Sequence, residues 1–281
     1  MPQKQMLPRA MMRGLGWVSQ PLPGLGTQVA FHFMTTPGRR RPALPGTPVA
    51  ERRLRTARGL VVHAWGQAGP MVICIHGWQG AGHQFAHLAR YLAAQGLRVW
   101  AVDAAAHGES PGKRATPVDL LYALREASAL AGEPAAVIGH SLGAAMAMVA
   151  CREGAPFTRR VLVAGPTSFT EVFNRFDRHM GLSPRAREAL FGRIEAQVGR
   201  TMESMNLLHH PPQGTALVIH DENDTEVPVQ STRSLAAVWP QAEVWITQGL
   251  GHVRVLRSEV VAQRVAEYLV NGSSVLEAAF D

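Results

Sequence analysis

Residues 137–145 read VIGHSLGAA, with Ser141 set between Gly139 and Gly143 where an apolar run gives way to an alanine-rich one. A serine hydroxyl attacks carbonyl carbon only when a base takes its proton, so the pattern calls for an imidazole. It also calls for a carboxylate to fix that imidazole's tautomer and stabilise its charge. A strand that turns sharply into a helix holds such a serine in an unfavourable backbone conformation, and small residues on either side let neighbouring segments come close. His252 fits the imidazole: it ends ITQGLGH, just past an apolar run from Glu243, beside Gly249 and Gly251. For the carboxylate, LVIHDEND offers Asp224, with Asp221 and Glu222 as competitors within three residues. Spacing alone leaves all three open, since each acid could equally cap a turn. Attack on a carbonyl also creates an oxyanion, and the backbone N–H groups of Leu142 and of Trp78 in IHGWQG are the candidate donors. His76 in the same stretch is read as shaping the loop.

These groups must be carried to one place, and the patterning supplies the carriers. From about Glu51 the chain alternates short apolar runs with amphipathic ones. Strands are expected at Leu60 to Ala64, Met71 to Ile75, LRVWAVD, AAVIGH, RRVLVAG, TALVIH and EVWIT. Helices are expected at QFAHLARYLAAQG, at PVDLLYALREASALAG between Pro117 and Gly132, at LGAAMAMVACREG, at VQSTRSLAAVWP and from Ser258 to Val270. Continuous Val, Ile and Ala runs mark strands buried on both faces, as in a parallel sheet. Between about 166 and 212 the alternation stops and helix follows helix. The expected architecture is α/β: a doubly wound, mostly parallel sheet with helices on both faces and a helical cap insertion at about 166–212. Phe169, Phe173 and Phe176 of the insertion, with Trp78, are candidates to line a substrate pocket, although apolar residues at helical spacing more often serve packing.

The residues carrying this pattern resemble the α/β-hydrolase family, from roughly Val62 to Leu269. HGW at His76 to Trp78, DAAAHGES at Asp103 to Ser110, GHSLG at Gly139 to Gly143, and HDENDTEVP followed by GLGH occur in the family's order. The family's acid commonly stands three places before a Val-Pro pair, so the resemblance selects Asp224, ahead of Val227 and Pro228. Its usual DxxGHGxS loop is altered here, with Ala104, Ala105 and Ala106 after Asp103. The resemblance implies a serine hydrolase acting on carboxylic ester or related acyl bonds through an acyl-enzyme, with no cofactor and no metal. The alternatives are amide, thioester or carbon–carbon bond hydrolysis, acyl transfer to an alcohol, or a non-catalytic binder of a small ligand. The expected partner is a small-molecule acyl substrate.

Composition narrows the rest. With 281 residues, 46% hydrophobic and 17% charged, the chain reads as one globular unit. Its net charge of +7 is uneven: residues 1–60 hold ten Lys and Arg against Glu51 alone. Residues 1–48 are read as a basic, Pro/Gly-rich N-terminal extension with one short helix around Gln28 to Met34, and 49–281 as the hydrolase domain. No nucleic-acid motif accompanies the basic charge, so no nucleic-acid partner is expected. The extension is read as a solubilising arm whose sharper role is weak peripheral contact with anionic lipid, with Met11, Met12, Trp17 and Phe31 nearby. No apolar run of about 18 residues suggests a membrane span, and the opening lacks the apolar core of a secretory signal. A cytoplasmic location is the expectation. Cys74 and Cys151 read as small buried hydrophobes, and His209 and His210 beside two prolines as a turn.

Overall fold

The computed structural model describes residues 19–38, 42–132 and 134–271. Its centre is an eight-stranded sheet: β1 (Arg52–Arg55), β2 (Val61–Trp65), β3 (Met71–Ile75), β4 (Arg98–Val102), β5 (Ala136–His140), β6 (Arg159–Val163), β7 (Ala216–Asp221) and β8 (Ala242–Thr247), in the order β1-β2-β4-β3-β5-β6-β7-β8. β1 and β2 run antiparallel to their neighbours, and every later pairing is parallel. The strands foreseen from apolar runs are there within a residue or two. β1 was not foreseen, because RRLR carries no apolar alternation. It lies exposed at the sheet edge, where charge discourages pairing with another chain.

Side chains alternate between two cores, as the pleat requires. Met71, Ile73 and Ile75 of β3 face one, and Val72 and Cys74 the other. The first core is covered by α1 (Pro23–Thr35), α3 (Pro117–Ala131), α4 (Leu142–Arg152), α5 (Phe169–Met180), α6 (Pro184–Val198) and α7 (Gln230–Val238). The second is covered by α2 (Ala86–Ala94), by the short α8 (Gly251–Arg254) with the turn after it, and by α9 (Glu259–Asn271). Burial leaves the Cys74 thiol far above its ordinary acidity range, an inert core residue.

α5 and α6 occupy the first part of the span expected to be helical, and from 199 to 212 the chain is loop apart from a short turn of 3₁₀ helix at Glu203–Met205. Phe169, Phe173, Phe176 and Met180 lie on one face of α5, and Ala186, Leu190, Ile194 and Val198 on one face of α6. Ser168 and Ser183 cap the two N-termini, accepting from the Glu171 and Ala186 amides, and Gly181 and Gly199 close the C-termini in the left-handed region.

The segment read as an extension contributes more structure than expected. α1 begins at Pro23, several residues before Gln28, and docks on α6. Its PGLG start reads as punctuation, yet Gly26 is where the helix crosses Ser19, and a Cβ there would lie 2.5 Å from the Ser19 Cβ. Ala30 and Phe31 join the core, Arg193 of α6 lies 4.0 Å over the Phe31 ring, and the Thr27 hydroxyl donates to the Ala186 carbonyl at 3.1 Å. Of the residues named for lipid contact, Phe31 is thus buried in the core, while Met11, Met12 and Trp17, with the rest of residues 1–18 and 39–41, lie outside the described residues. No helix among the described residues is long and apolar enough to cross a membrane.

Ser19 and Ser183 exchange two buried bonds, Ser183 N to Ser19 Oγ at 2.9 Å and Ser183 Oγ to the Ser19 carbonyl at 2.7 Å. Ser183→Ala removes the second bond and the α6 cap together. It should cost about 1–2 kcal/mol in urea denaturation; an unchanged midpoint would show that this junction carries no stability.

Candidate functional site

The chain runs from β3 outward to β4 and then returns to place β5 on the other side of β3. Connections therefore leave the carboxyl ends of β3 and β5 in opposite directions, opening the crevice in which α/β sheets bind ligands. Trp78 follows β3 and Ser141 follows β5, at that switch point. Asp224 follows β7 and His252 follows β8, at the same edge of the sheet.

Ser141 sits at φ 55°, ψ −128°, between β5 and the first residue of α4. A left-handed φ costs an L-residue about 1–2 kcal/mol, so the surroundings must impose it. The Ser141 amide donates to the Val163 carbonyl at 2.8 Å, and its carbonyl accepts from Ala144 at 2.9 Å. The flanking glycines are required by proximity: a Cβ on Gly143 would lie 2.4 Å from the His76 carbonyl oxygen, and one on Gly139 would lie 2.4 Å from the Ala144 Cα. The loop after β3 also crosses close by, since a Cβ on Gly77 would stand 3.0 Å from Ser141 Oγ.

Of the three competing acids, Asp224 is the one that meets the imidazole. Its Oδ2 accepts from His252 Nδ1 at 2.7 Å, and its Oδ1 accepts from the Glu226 and Val227 amides at 2.7 and 3.0 Å. His220 Nε2, which donates to the Val227 carbonyl at 3.0 Å, lies 3.3 Å from the same Oδ2. Burial pushes the Asp224 carboxyl up, but hydrogen bonds from His220 and His252 outweigh it and hold the acid well below the usual carboxylate range. Asp221 instead braces the loop that carries His252, accepting from the Thr247 hydroxyl at 2.8 Å and the Leu250 amide at 3.0 Å. Glu222 pairs with Arg233 on the surface. With its Nδ1–H donated in a hydrogen bond to Asp224, His252 presents Nε2 as the acceptor.

His140, the residue before Ser141, joins the imidazole to the elbow. Its Nε2 donates to the His252 carbonyl at 2.8 Å, and the two rings lie 4.7 Å apart. Burial, followed by the neighbouring His252, pushes the His140 imidazole down to about 3, so it stays neutral. Ser141 Oγ makes no hydrogen bond among the described residues; such bonds commonly tighten only when substrate binds.

The loop after β3 is set by a buried network. His76 donates from Nδ1 to the Gly77 carbonyl at 2.7 Å and accepts at Nε2 from the Ala104 amide at 3.0 Å. Burial lowers its affinity for a proton, so it shapes the loop as a neutral ring. Asp103 accepts from the Gly82 amide at 2.6 Å, the Glu109 amide at 2.8 Å and His63 Nε2 at 3.0 Å, tying β2 to the loops after β3 and β4. The altered DAAAHGES loop keeps a left-handed turn at Ala106, φ 62°. At the two candidate oxyanion donors, Leu142 is the first residue of α4, where amides have no partner within the helix, and Trp78 follows Gly77 beside Ser141 Oγ. The phenylalanines proposed for the pocket are occupied differently. Phe169 and Phe173 are buried in the core, Phe173 edge-on to Phe191 at 5.1 Å, and Phe176 is partly buried against the same core. The Trp78 ring meets His107 at 5.1 Å.

His140 also gives the fold a pH dependence. The unfolded chain takes a proton near 6.5 that the folded ring accepts only near about 3, so stability falls as pH drops through that window. The loss should approach ~1.4 kcal/mol per pH unit. His140→Gln should flatten the stability curve between those limits by about that slope; an identical slope in the variant would mean that His140 is protonated within the fold.

Comparison with known proteins agrees with this architecture. The chain is similar to an esterase of Pyrococcus furiosus, with TM-score 0.60, 21% identity, and coverage of 85% of this chain and 98% of that one. It is also similar to an esterase of Rhodococcus, with TM-score 0.57, 18% identity, and coverage of 78% and 98%. The thioesterase domain of the curacin biosynthetic pathway matches with TM-score 0.58 and 16% identity over 78% and 98%. At these identities the likeness is one of fold. A serine hydrolase-like protein of Dictyostelium discoideum is 29% identical over 115 residues, which cover 38% of this chain and 32% of that protein; the chain thus matches about a third of its length. The model of the alpha/beta hydrolase family matches residues 72–264. With the sheet order, the turn at Ser141 and the family model in agreement over most of the chain, this protein belongs to the alpha/beta hydrolase family.

Proposed function

We propose that the protein is a serine hydrolase that cleaves carboxylic ester bonds, with Ser141 as nucleophile, His252 as general base and Asp224 as the group that orients it. The observation that carries this reading is the 2.7 Å Asp224–His252 bond, set beside a serine held at φ 55° by the turn into α4. The His140 bond to the His252 carbonyl keeps these two parts in register. His252 Nε2 takes the Ser141 proton as the hydroxyl oxygen attacks the carbonyl carbon. The carbonyl oxygen becomes an oxyanion facing the Leu142 and Trp78 amides. Nε2 then returns the proton to the leaving alcohol as its bond to carbon breaks, giving the acyl-enzyme. Water, deprotonated by the same Nε2, attacks the acyl carbon, and Ser141 departs with its proton restored. Asp224, kept ionised by its donors, supports the imidazolium in both halves without taking the proton.

A fluorophosphonate probe should label the wild type and leave Ser141→Ala unlabelled. His252→Ala should lower hydrolysis of p-nitrophenyl esters by at least about 10³-fold while leaving the folding transition in place. Folded wild type that resists the probe and hydrolyses no member of an ester panel graded by acyl length would overturn the assignment.

A further inference from the structure

Two imidazoles stand against one oxygen of Asp224, and the reaction above uses only one of them. His252 Nδ1 donates to Oδ2 at 2.7 Å, and His220 Nε2 lies 3.3 Å from the same atom. His220 belongs to β7, four residues before Asp224, and its side chain is fully buried beside the apolar Leu217, Val218 and Ile219 of that strand. An imidazole is tolerated in such a place only when its nitrogens find partners. Nε2 faces the Val227 carbonyl at 3.0 Å as well as the Asp224 carboxylate, and both of these can only accept, so Nε2 carries the proton. In that tautomer Nδ1 accepts from the hydroxyl of Thr232, a buried residue of α7, at 2.6 Å.

We propose that His220 is a positioning residue for hydrolysis that acts through Asp224. Its Nε2–H fixes the oxygen that faces His252 and takes up part of that oxygen's charge, while Thr232 holds the ring in the tautomer that can do so. The proposal rests on the acyl-transfer reading of Ser141, His252 and Asp224 and extends the chain of contacts beyond it. Oδ1 is already fixed by the Glu226 and Val227 amides, so Oδ2 is the oxygen that the two rings share. Without the His220 N–H, more negative charge would face His252 Nδ1, and the imidazolium formed during reaction would be held more tightly. The free base would then be available only at higher pH. Other ionisable groups stay in place when residue 220 changes. His140 lies 4.7 Å from His252 ring to ring, Glu226 Oε2 is 3.8 Å from His252 Nε2, and the Asp221 carbonyl accepts from the Asp224 amide at 3.1 Å. Arg233 of α7 pairs with Glu222, and Arg254 of α8 donates to the Gly249 carbonyl.

The pH dependence of p-nitrophenyl ester hydrolysis separates this role from that of a histidine that merely closes the turn through Val227. The acid limb of kcat/KM reports the essential base of the free enzyme. His220→Phe keeps the bulk of the ring and loses both nitrogens. Its acid limb should move up by about half a pH unit. Its plateau kcat should fall about tenfold, the worth of one hydrogen bond to a charge, with KM little changed. His220→Gln can present an amide N–H where Nε2 stood, and it should keep the wild-type limb. A readout in wild type alone covers a variant that fails to fold: proton–nitrogen NMR of the imidazoles at alkaline pH should show His220 protonated at Nε2. A limb in folded His220→Phe that coincides with wild type overturns the proposal. So does a limb displaced equally in His220→Gln, or a wild-type His220 protonated at Nδ1 instead. In protein that the fluorophosphonate probe labels, each of these results leaves the hydrolase assignment standing. Wild type that neither takes the probe nor hydrolyses the ester overturns both.

Discussion

Helix α4 can start at Ser141 only because its first turn presses onto the carbonyl ends of β3. A Cβ at Gly143 would stand 2.4 and 2.5 Å from the His76 and Ile75 oxygens, so any side chain there would drive the helix off the sheet. That approach has two consequences. It forces the chain to reverse direction within one residue, which puts the serine at a positive φ with its hydroxyl clear of the helix. It also sets the peptides after β3 beside that hydroxyl. The proposed nucleophile and the candidate donors for the charge it would create are thus positioned by the same backbone contact, one that packing on both faces of the sheet sustains.

Two buried carboxylates flank this contact, and their environments differ in a way that separates their work. Asp103 is surrounded by donors on every side: two amides and His63. Burial pushes it up, and the His63 bond together with the electrostatic effect of His63 and His76 and the Gly82 amide more than offsets that, so it remains a fixed anion that knits loops together. Asp224 is held in the same manner on one oxygen, but its other oxygen accepts from His252 Nδ1, which leaves the far nitrogen of that ring, 3.8 Å from Glu226, as an acceptor. A charge held only by fixed dipoles is structural. A charge that orients a proton-accepting ring is available to chemistry. The histidines divide likewise: His76 and His140 are kept neutral by burial and spend their bonds on backbone groups, and His252, like His63 at Asp103, has a carboxylate partner.

The sheet was legible because its strands are short, largely apolar and separated by amphipathic stretches, so two periodicities alternate from residue 60 to about 165 and again after the helical insertion. The elbow was legible for a related reason, since two glycines around a serine make sense only where backbones must touch. The choice among Asp221, Glu222 and Asp224 was not legible in the residues themselves, because all three share one turn and one chemistry, and it was the resemblance, through Val227 and Pro228, that selected Asp224. The choice itself is made by which oxygen faces His252, and that depends on how the Asp224 turn folds against the end of β8. His140 was hidden for the same reason: its significance comes from a partner 112 residues away. β1 and the start of α1 were obscured by local composition. RRLR joins the sheet through its backbone with Leu54 as its one side chain packed on the core, and the glycine in the helical PGLG start is required because position 26 must clear Ser19, a packing constraint opposed to the usual meaning of glycine.

Strain is distributed as this division of labour implies. Among the described residues, the non-glycine positions with positive φ are Gln79, Ala106, Ser141 and Ala164. They follow β3, β4, β5 and β6 in turn, each within four residues of the strand's end. All four therefore lie at the carboxyl edge where the crevice opens, and none lies at the opposite edge. Each costs about 1–2 kcal/mol relative to a relaxed conformation, so four in adjacent connections cannot be an indifferent outcome of folding. Ala106 makes the point most sharply. The DxxGHGxS form of its loop would put a glycine there, yet the turn keeps its left-handed geometry with a methyl group in place, its amide bonded to the Pro111 carbonyl at 2.8 Å. The surroundings, above all the loop closure around Asp103, thus dictate the backbone more strongly than the residue's own preference. An edge built that way holds its amides and hydroxyl in position before any substrate arrives, which is what stabilising a short-lived oxyanion requires.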